Sequence, residues 1–160
     1  IHYDKGYNSS FDPIMMSKTF EEIARYSSSK LIKNFIVSNQ GGIAKGKFKE
    51  EDTLNFHFEL KSWSMERGIV LDDFQFCPHH PEGIIRAYTC RCECRKPGLA
   101  MIKKLDIRWN IDFTNSIYVG DSCSDLELAK KIGVQFFNLD MKKEQPNDIK
   151  ELRSYVDAII

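Results

Sequence analysis

The sequence predicts an α/β fold, a Rossmann-like open and mostly parallel sheet with helices on both faces. Helical and strand patterns alternate along the 160 residues, and polar or glycine residues separate them. Alternation of this kind favours parallel strands joined by crossover helices. Ligands of such folds bind beyond the carboxyl ends of the strands, so polar residues there are the first candidates for a site.

Four short apolar segments are typical of buried strands. Each contains aromatic or β-branched residues and is followed by polar or glycine residues. The four predicted strands are residues 35–37, 74–76, 116–119 and 136–139. Polar clusters at Ser38–Gly41 and Gly120–Asp125 follow the first and third strands, and both are candidates for ligand binding.

Helix signals lie before the first strand and between the strands. Thr19 and Glu22 have the spacing of a capping box and predict the start of the first helix. Leu54 and Phe58 lie four residues apart in a second helical pattern, which covers residues 50–66.

Proline and glycine bound the two later helices. Pro97 has a favourable first-turn position ahead of a helix in which Leu99, Ile102 and Leu105 share one face. Gly133 is typical of the residue after a helix and predicts the end of the fourth helix.

Composition and charge exclude several classes of protein. Hydrophobic residues make up 42% of the chain, which suits a folded core rather than a disordered tail. The 23 basic residues balance 23 acidic ones, which argues against a nucleic-acid partner. We find no apolar run long enough to span a membrane and no secretion signal, so we expect a cytoplasmic protein with no membrane partner. We also expect a monomer.

Cysteines and their neighbours predict a metal site. An odd number of cysteines fits disulfide pairing poorly. Cys77-Pro78-His79-His80 and Cys92-Glu93-Cys94 offer thiolate and imidazole ligands that suit a closed tetrahedral zinc site. Cys90-Arg91-Cys92 is a competing pair, and spacing alone leaves open which of the later cysteines is unliganded. A set of reduced core cysteines is the other interpretation, but the polar neighbours argue against it.

Three polar segments predict phosphate chemistry. Ser38 and Asn39 follow a strand, where hydroxyl and backbone N–H groups suit phosphate oxygens. Arg95 and Lys96 place two cations ahead of a helix, where they can neutralise charge during phosphoryl transfer. The motif Gly120–Asp125 places two carboxylates after a strand, and carboxylate oxygens suit Mg²⁺.

Each of these residues also has an ordinary structural explanation. Lys96 alone is typical of a solvated surface lysine, and Asp121 alone of a helix N-cap. Asp125 is typical of a supporting or surface carboxylate. Their order and their common placement at strand ends favour a shared site.

Four motifs together resemble the D-glycero-D-manno-heptose 1,7-bisphosphate phosphatases, a family of the haloacid dehalogenase superfamily. The motifs are Ser38–Phe48, Cys77–Pro81, Cys92–Pro97 and Val119–Asp121. The resemblance extends from Asp4 to about Leu139, and the cysteine-rich motifs are its most specific part.

The resemblance implies a haloacid dehalogenase-like phosphatase that requires Mg²⁺ and acts on a small sugar phosphate. Its reaction removes the 7-phosphate of the heptose bisphosphate through an aspartyl-phosphate, in heptose synthesis for lipopolysaccharide or other surface glycans. It also implies a structural Zn²⁺ that staples a loop. The implied zinc ligands are Cys77, His79, Cys92 and Cys94, which leaves Cys90 free.

Roles for individual residues follow from the same resemblance. Ser38 is expected to hold the transferring phosphoryl group, Lys96 to stabilise its negative charge, and Asp121 to ligate Mg²⁺. Arg95 is expected to contact the distal phosphate. Further substrate contacts are implied for Asp4, Lys5, Gly6, Tyr7, Asn39, Gln40 and Gly41.

The chain departs from the family pattern in two places. We find no Asp-x-Asp motif, which in the superfamily supplies the nucleophile and the general acid and base. We therefore expect residues 1–160 to be one phosphatase domain that lacks its N-terminal strand, inactive and poorly stable as it stands. Ser122 stands where relatives often have a substrate-binding lysine, although its hydroxyl can also donate a hydrogen bond to substrate.

Three alternatives compete with this interpretation. A histidinol-phosphate phosphatase-like enzyme has a similar zinc loop and differs in substrate. An inactive protein that binds zinc and phosphate explains the same motifs without turnover. The third alternative is a zinc-bearing interaction module that binds no phosphate. In that case the phosphatase-like placement of Ser38, Lys96 and Asp121 is a coincidence.

Overall fold

A computed structural model describes residues 10–13, 16–139 and 146–158 of the chain, with side chains described in those ranges except at 146–148. These residues form helices and strands in alternation, as the sequence predicts. In chain order they are α1 (Lys18–Ser29), β1 (Phe35–Asn39), α2 (Glu50–Met65), β2 (Asp73–Cys77), α3 (Ala100–Trp109), β3 (Ile117–Gly120), α4 (Cys123–Ile132), β4 (Gln135–Asn138) and α5 (Pro146–Ala158). None of the helices in these ranges is both long enough and apolar enough to cross a lipid bilayer.

The four strands form two parallel pairs. β1 pairs with β2, with Ile36 opposite Phe74, and β3 pairs with β4, with Tyr118 opposite Phe136. All four predicted strands are therefore present, with ends that differ by one or two residues. In the described part of the chain, however, no hydrogen-bonded ladder joins β1 to β3, so the sheet is divided in two.

Helices cover both faces of the strands. Ile36 packs with Leu60 and Trp63 of α2, whereas its neighbours Phe35 and Val37 pack against α3 and α4. Successive side chains of a strand point to opposite faces, so α2 and the pair α3–α4 lie on opposite sides. The predicted architecture, parallel strands between two helical layers, is confirmed.

α1 and α5 complete the layer on the α2 side. Ile23 of α1 packs with Leu152 and Val156 of α5, and Ile117 of β3 packs against the same group. The carboxyl-terminal helix thereby covers the β3–β4 pair, while α1 also contacts the core under β1 and β2 through Ala24.

The start of α1 differs from the prediction. Its N-cap is Ser17, whose hydroxyl accepts a hydrogen bond from the Phe20 backbone N–H at 3.2 Å. Thr19 lies inside the helix and is fully buried, so the predicted capping box at Thr19 and Glu22 is wrong by two residues. Serine is as good a cap as threonine, and tertiary packing of Thr19 decides between them.

Two other helix predictions also need correction. α2 is present, but Leu54 and Phe58 are 54% and 74% exposed, and its buried face includes Leu60 and Trp63 instead. α3 begins at Ala100, three residues after Pro97 rather than directly at it. The end of α4 at Gly133 is confirmed, with φ of 73° in the left-handed region that favours glycine.

A cavity of about 800 Å³ lies between the two strand pairs. We call it the central cleft and define it by its walls, residues 35–40 along β1 and residues 117–121 along β3. Apolar side chains from both helical layers, including Ile23, Leu60 and Leu105, also line it. The cleft contains the polar residues at the ends of β1 and β3 as well.

Candidate active site and metal centre

The polar ends of β1 and β3 meet in the central cleft. Ser38 lies near the end of β1, Asp121 directly follows β3, and Lys96 comes from the loop before α3. All three side chains line the cleft, as do Asn39 and Gln40. The structure therefore brings together the three residues that the sequence analysis assigned to catalysis.

Lys96 links the two strand pairs. Its Nζ donates to the Val37 carbonyl of β1 at 3.0 Å and to Oδ1 of Asp125 in α4 at 2.6 Å. The Lys96 and Asp125 side chains are only 11% and 6% exposed, so solvent screens their attraction little. A buried pair of this kind holds the ammonium group at a fixed point in the cleft.

Asp125 is a fully engaged carboxylate. Oδ1 also accepts from the Tyr118 hydroxyl at 2.9 Å, and Oδ2 accepts from the Ser122 hydroxyl at 2.5 Å. Burial alone would raise the pKa of Asp125, but the charge of Lys96 and these hydrogen bonds outweigh burial and lower that pKa. Asp125 therefore remains the ionised partner of Lys96 and is no exposed surface group.

The neighbours of Asp125 follow from two local features. Ser122 is the N-cap of α4 and forms a capping box with Asp125, which explains the hydroxyl–carboxylate contact. A Cβ atom at Gly120 would lie 2.6 Å from the Asp125 Cβ, so this approach requires glycine. The Ser-x-x-Asp spacing is the sequence signal for this capping box, and the Gly120–Asp125 motif had already placed Asp125 among the candidate site residues.

Tyr118 is a site residue that the sequence reasoning missed. Its ring packs with the α3–α4 core, and its hydroxyl reaches Asp125. Burial first, and then the negative charge of Asp125, raise the pKa of Tyr118. The hydroxyl is therefore a permanent donor to the carboxylate at neutral pH. A single aromatic residue in a strand gives no sequence signal for such a role.

Asn39 and Gln40 support the residues beside them. Asn39 Oδ1 accepts from the Lys96 backbone N–H at 2.8 Å, and its Nδ2 donates to the Lys96 carbonyl at 3.2 Å. Gln40 Nε2 donates to the Ser38 hydroxyl oxygen at 2.9 Å, which leaves the Ser38 hydrogen available to a ligand. These contacts fix the loop of Lys96 and the hydroxyl of Ser38.

Asp121 is the available carboxylate of the cleft. It is exposed, and within the described ranges no hydrogen bond or ion pair engages it, whereas both oxygens of Asp125 are occupied. Proteins often hold Mg²⁺ through one or two carboxylates together with substrate phosphate oxygens. Asp121 is suited to bind such a cation. Asp125 is poorly suited, because the charge of Lys96 already neutralises the Asp125 carboxylate.

Arg95 and Gly41 form a second polar corner beside the cysteine loop. Arg95 Nη1 donates to the His79 carbonyl at 3.2 Å. A Cβ atom at Gly41 would lie 3.0 Å from that Nη1 and 3.0 Å from Cδ2 of His80. Burial, and then the positive charges of Lys45 and Arg95, lower the pKa of His80. Lys45 and Arg95 bring two positive charges to this corner and Glu82 one negative charge, so we call it the positive corner.

Not all of the predicted substrate residues line the cleft. Gly41, Arg95 and Ser122 lie outside its walls, the first two at the positive corner and the third at the start of α4. The segment Asp4, Lys5, Gly6 and Tyr7 lies outside the described residues.

The cysteine loop closes into a compact cluster. One ligand atom each from Cys77, His79, Cys92 and Cys94 lies within 4.8 Å of all the others. Cys94 Sγ lies 3.0 Å from Cys77 Sγ, 3.3 Å from Cys92 Sγ and 3.1 Å from His79 Nδ1. Cys77 Sγ lies 3.5 Å from Cys92 Sγ and 3.6 Å from His79 Nδ1.

Two of these separations match the edges of a tetrahedral zinc site, and the three to Cys94 are a few tenths of an ångström shorter, so the four ligand atoms converge on one point. Zinc–sulfur and zinc–nitrogen bonds of about 2.3 and 2.0 Å give ligand–ligand edges of roughly 3.5–3.8 Å. Burial, and then the hydrogen bond that it shares with Cys94, raise the pKa of Cys77, so a thiolate at this place needs a cation beside it. The residues that the resemblance implied are the ones that converge, and Cys90 is exposed and outside the cluster.

Comparisons with known proteins point to one family. A D-glycero-beta-D-manno-heptose-1,7-bisphosphate 7-phosphatase of Yersinia pestis is 36% identical over 138 residues, which cover 84% of this chain and 73% of the relative. The enzyme of the same name from Rhodopseudomonas palustris is 43% identical over 106 residues, or 66% of this chain and 59% of the relative. The chain thus spans less than two thirds of the Rhodopseudomonas relative. No protein-family model matches the chain.

Solved structures support the fold. A HAD-like phosphatase from Mesorhizobium loti superposes with a TM-score of 0.86 at 23% identity, over 99% of this chain and 82% of the other. A D,D-heptose 1,7-bisphosphate phosphatase from B. bronchiseptica, in complex with magnesium and phosphate, superposes with a TM-score of 0.66 at 22% identity. The superposition covers 84% of this chain and 76% of the other. These neighbours establish a haloacid dehalogenase-like fold. The similarity to the Yersinia enzyme, across most of both chains, shows that this chain belongs to the D-glycero-beta-D-manno-heptose-1,7-bisphosphate 7-phosphatase family.

Proposed function

We propose that this chain is the larger part of a Mg²⁺-dependent phosphatase that removes the 7-phosphate of D-glycero-D-manno-heptose 1,7-bisphosphate. The observation that supports it most is the meeting of Ser38, Lys96 and Asp121 at the carboxyl ends of two parallel strand pairs. A hydroxyl donor, a fixed cation and an available carboxylate are the groups that phosphoryl transfer needs.

Each residue has a defined task in this proposal. Ser38 donates to an oxygen of the transferring phosphoryl group, and the Lys96 ammonium neutralises the charge on that group. Asp121 would hold Mg²⁺, which would supply positive charge against the phosphate oxygens. Asn39 fixes the Lys96 backbone, and Asp125 fixes the Lys96 side chain, so the cation is positioned before substrate arrives.

Substrate recognition extends beyond the cleft. Arg95 and Gly41 form the positive corner, which suits the distal phosphate of a bisphosphate, and Asn39 and Gln40 line the space between. Ser122, already bonded to Asp125, can present its hydroxyl at the edge of the site. The segment 4–7 completes the proposed set of substrate contacts.

The nucleophile lies outside the 160 residues in this proposal. The sequence contains no Asp-x-Asp motif, so an aspartate from elsewhere in the full polypeptide attacks phosphorus. The aspartyl-phosphate forms as the bond from phosphorus to the sugar's 7-oxygen breaks, and that oxygen leaves as a hydroxyl after it takes a proton from a general acid. Water then hydrolyses the aspartyl-phosphate and releases inorganic phosphate. Residues 1–160 are then one phosphatase domain without its first strand. The cysteine cluster holds a structural Zn²⁺, since its four ligands leave no open position for a reacting group. We also propose a cytoplasmic monomer that serves heptose synthesis for lipopolysaccharide or related glycans.

A substrate panel tests the proposal. The full natural polypeptide is purified from its own organism. It is assayed with Mg²⁺ for phosphate release from the heptose bisphosphate and from histidinol phosphate. We expect kcat/KM to favour the heptose bisphosphate, and Asp121→Asn to abolish its turnover. Glu127→Gln, an exposed carboxylate change on α4, is the matched control and should leave turnover unchanged.

Two results would contradict the proposed function. A preference for histidinol phosphate would assign the enzyme to the related specificity. Sugar phosphate binding without turnover in the natural polypeptide would identify an inactive zinc- and phosphate-binding protein.

A further inference from the structure

Each oxygen of the Asp125 carboxylate accepts two hydrogen bonds. Oδ1 accepts from the Lys96 ammonium at 2.6 Å and from the Tyr118 hydroxyl at 2.9 Å. Oδ2 accepts from the Ser122 hydroxyl at 2.5 Å and from the Ser122 backbone N–H at 3.3 Å. An ionised carboxylate offers roughly four acceptor sites, so this one is saturated and cannot rotate without breaking several bonds at once.

Tyr118 is the donor that ties this carboxylate to β3. Ser122 belongs to the same capping box as Asp125 and therefore moves with the start of α4. The Tyr118 ring, by contrast, packs against the core of α3 and α4 and lies stacked on Phe136 of β4, with ring centroids 6.3 Å apart. Tyr118 thus holds Oδ1 from a well-packed strand residue outside the helix that carries Asp125.

The Tyr118 hydroxyl is more than packing requires. A phenylalanine ring would fill the same space, and the net gain in stability from pairing a buried hydroxyl is modest because water solvates that group in the unfolded chain. The close approach of β3 to α4 at Gly120, where a Cβ atom would lie 2.6 Å from the Asp125 Cβ, brings the hydroxyl within reach of the carboxylate. This contact points to a task for the hydroxyl at Asp125 rather than in the core.

The Lys96 ammonium depends on Asp125 for its direction. Nζ has three N–H donors, of which one goes to the Val37 carbonyl at 3.0 Å and one to Oδ1 of Asp125. Among the residues that the structure describes, no third acceptor engages Nζ, so one N–H is left for a ligand in the cleft. The Val37 carbonyl is fixed in β1, whereas a carboxylate side chain can rotate. The direction of the free N–H therefore follows the position of Oδ1, which Tyr118 holds.

We propose that Tyr118 is a positioning residue for phosphoryl transfer, whose hydroxyl fixes Oδ1 of Asp125 and thereby the direction in which Lys96 presents its free N–H to the phosphoryl group. The inference rests on the proposed function and adds a residue to it. The hydroxyl also shares the negative charge of Oδ1, which leaves more of the Lys96 charge available to the phosphate oxygens. Both effects act on the transferring group, whereas the sugar and the distal phosphate contact other residues. We therefore expect Tyr118 to influence kcat more than KM.

Removal and restoration of the donor test this proposal in the full natural polypeptide, assayed with Mg²⁺ and the heptose bisphosphate. Tyr118→Phe keeps the ring and removes the hydroxyl, so kcat should fall about tenfold, the effect of one hydrogen bond to a charged group, while KM stays within about twofold. Replacing Tyr118 with para-aminophenylalanine supplies an N–H donor at the same place and should return kcat to within about threefold of the parent. A role in packing alone would not separate the two variants, because both keep the ring.

Tyr26→Phe is the matched control. The Tyr26 hydroxyl donates to the Asp157 carboxylate at 2.6 Å between α1 and α5, an exposed bond of the same chemistry that lies outside the walls of the cleft. Its loss should leave both kcat and KM unchanged. Unfolding of each zinc-loaded variant is measured alongside, so that values of kcat are compared at equal amounts of folded protein.

Defined outcomes would overturn the inference. They are an unchanged kcat in Tyr118→Phe, an equally low kcat with phenylalanine and with para-aminophenylalanine, and a loss that appears in KM alone. Absence of turnover in the parent contradicts the proposed function instead, and the inference is then tested by calorimetric binding of inorganic phosphate in the presence of Mg²⁺. Tyr118→Phe should raise the Kd for phosphate about fivefold, and para-aminophenylalanine should restore it. Equal Kd values, or no phosphate binding by the parent, overturn the inference.

Discussion

The two chemical centres of the molecule are built in opposite ways. The cysteine cluster comes from one stretch, residues 77–94, and its ligand atoms already lie within 4.8 Å of one another. The cleft site combines β1, the loop at Lys96, the end of β3 and α4, and its cation spans the gap between two strand pairs. The first centre depends on local chain geometry, whereas the second depends on how the two halves of the sheet are held together.

Removal of a cluster ligand should give the largest effect. Cys94→Ser takes away the thiolate that lies nearest the other three ligand atoms, so we expect the loss of stoichiometric zinc. A metal ion whose free concentration is a thousand times its Kd stabilises the folded protein by about 4 kcal/mol. The free energy of unfolding of Cys94→Ser should be lower by that amount. Metal analysis and denaturant unfolding measure both quantities.

Cys90→Ser provides the matched control for that change. Cys90 is exposed and lies outside the cluster, so its variant should keep both the zinc and the stability of the parent chain. Equal losses from the two variants would mean that the cluster does not hold the metal, and the contrast between the two centres would fail.

The link between the strand pairs should give the next largest effect. Lys96→Met leaves Asp125 buried without its cation, which should lower the free energy of unfolding by about 3 kcal/mol, the low end for a broken buried pair. We take the low end of that range because Lys96 and Asp125 line the cleft, where water can partly solvate the carboxylate left behind. Calorimetric or denaturant unfolding of zinc-loaded protein measures the change.

A double variant separates the pair from its members. Lys96→Met with Asp125→Asn removes both charges, so it should be less destabilised than the sum of the two single changes. Additive losses would show that the ion pair does not couple the halves. Zinc content should stay unchanged in all three variants, which distinguishes this centre from the cluster.

The contrast also explains what the sequence could predict. The cluster was predictable because cysteine and histidine at short spacing restrict the chain to a few arrangements, although the choice among Cys90, Cys92 and Cys94 needed the resemblance. Ser38, Lys96 and Asp121 were predictable because parallel strands end on one edge. The pairing of Asp125 with Lys96, and the Tyr118 hydroxyl behind it, depend on packing between α4 and β3, which no local pattern encodes.

Helix ends and faces were harder for a similar reason. Ser17 and Thr19 are both favourable N-cap residues, and the burial of Thr19 inside the helix leaves Ser17 as the cap. Leu54 and Phe58 have the spacing of a core-facing pair, yet α2 turns Leu60 to the core instead. Periodicity predicts that a helix has an apolar face but does not say which of two apolar stripes is buried.

Loss of stability in acid also distinguishes the cysteine cluster from the cleft site. The contribution of His57, which belongs to neither centre, must first be subtracted. His57 of α2 is 8% exposed and stacks on Phe74 of β2, with ring centroids 4.7 Å apart. Burial lowers its pKa from 6.5 to about 4, so the folded chain keeps it neutral while the unfolded chain protonates below pH 6.5. Stability due to His57 is therefore fully present above pH 6.5 and declines as the pH falls towards 4.

Between pH 7.5 and 5 this loss should reach about 2 kcal/mol, and His57→Leu should remove it. The measurement is the difference in unfolding free energy between parent and His57→Leu at each pH, with zinc saturating in both. A difference that stays constant with pH would show that His57 has the same pKa in the folded and the unfolded chain. Acid loss that persists in His57→Leu comes from the cluster ligands and from carboxylates whose pKa folding lowers, such as Asp125 and Asp73. The same pH series is repeated with Cys94→Ser combined with His57→Leu. The part of the acid loss that is due to the cluster should be absent there, because this variant holds no metal.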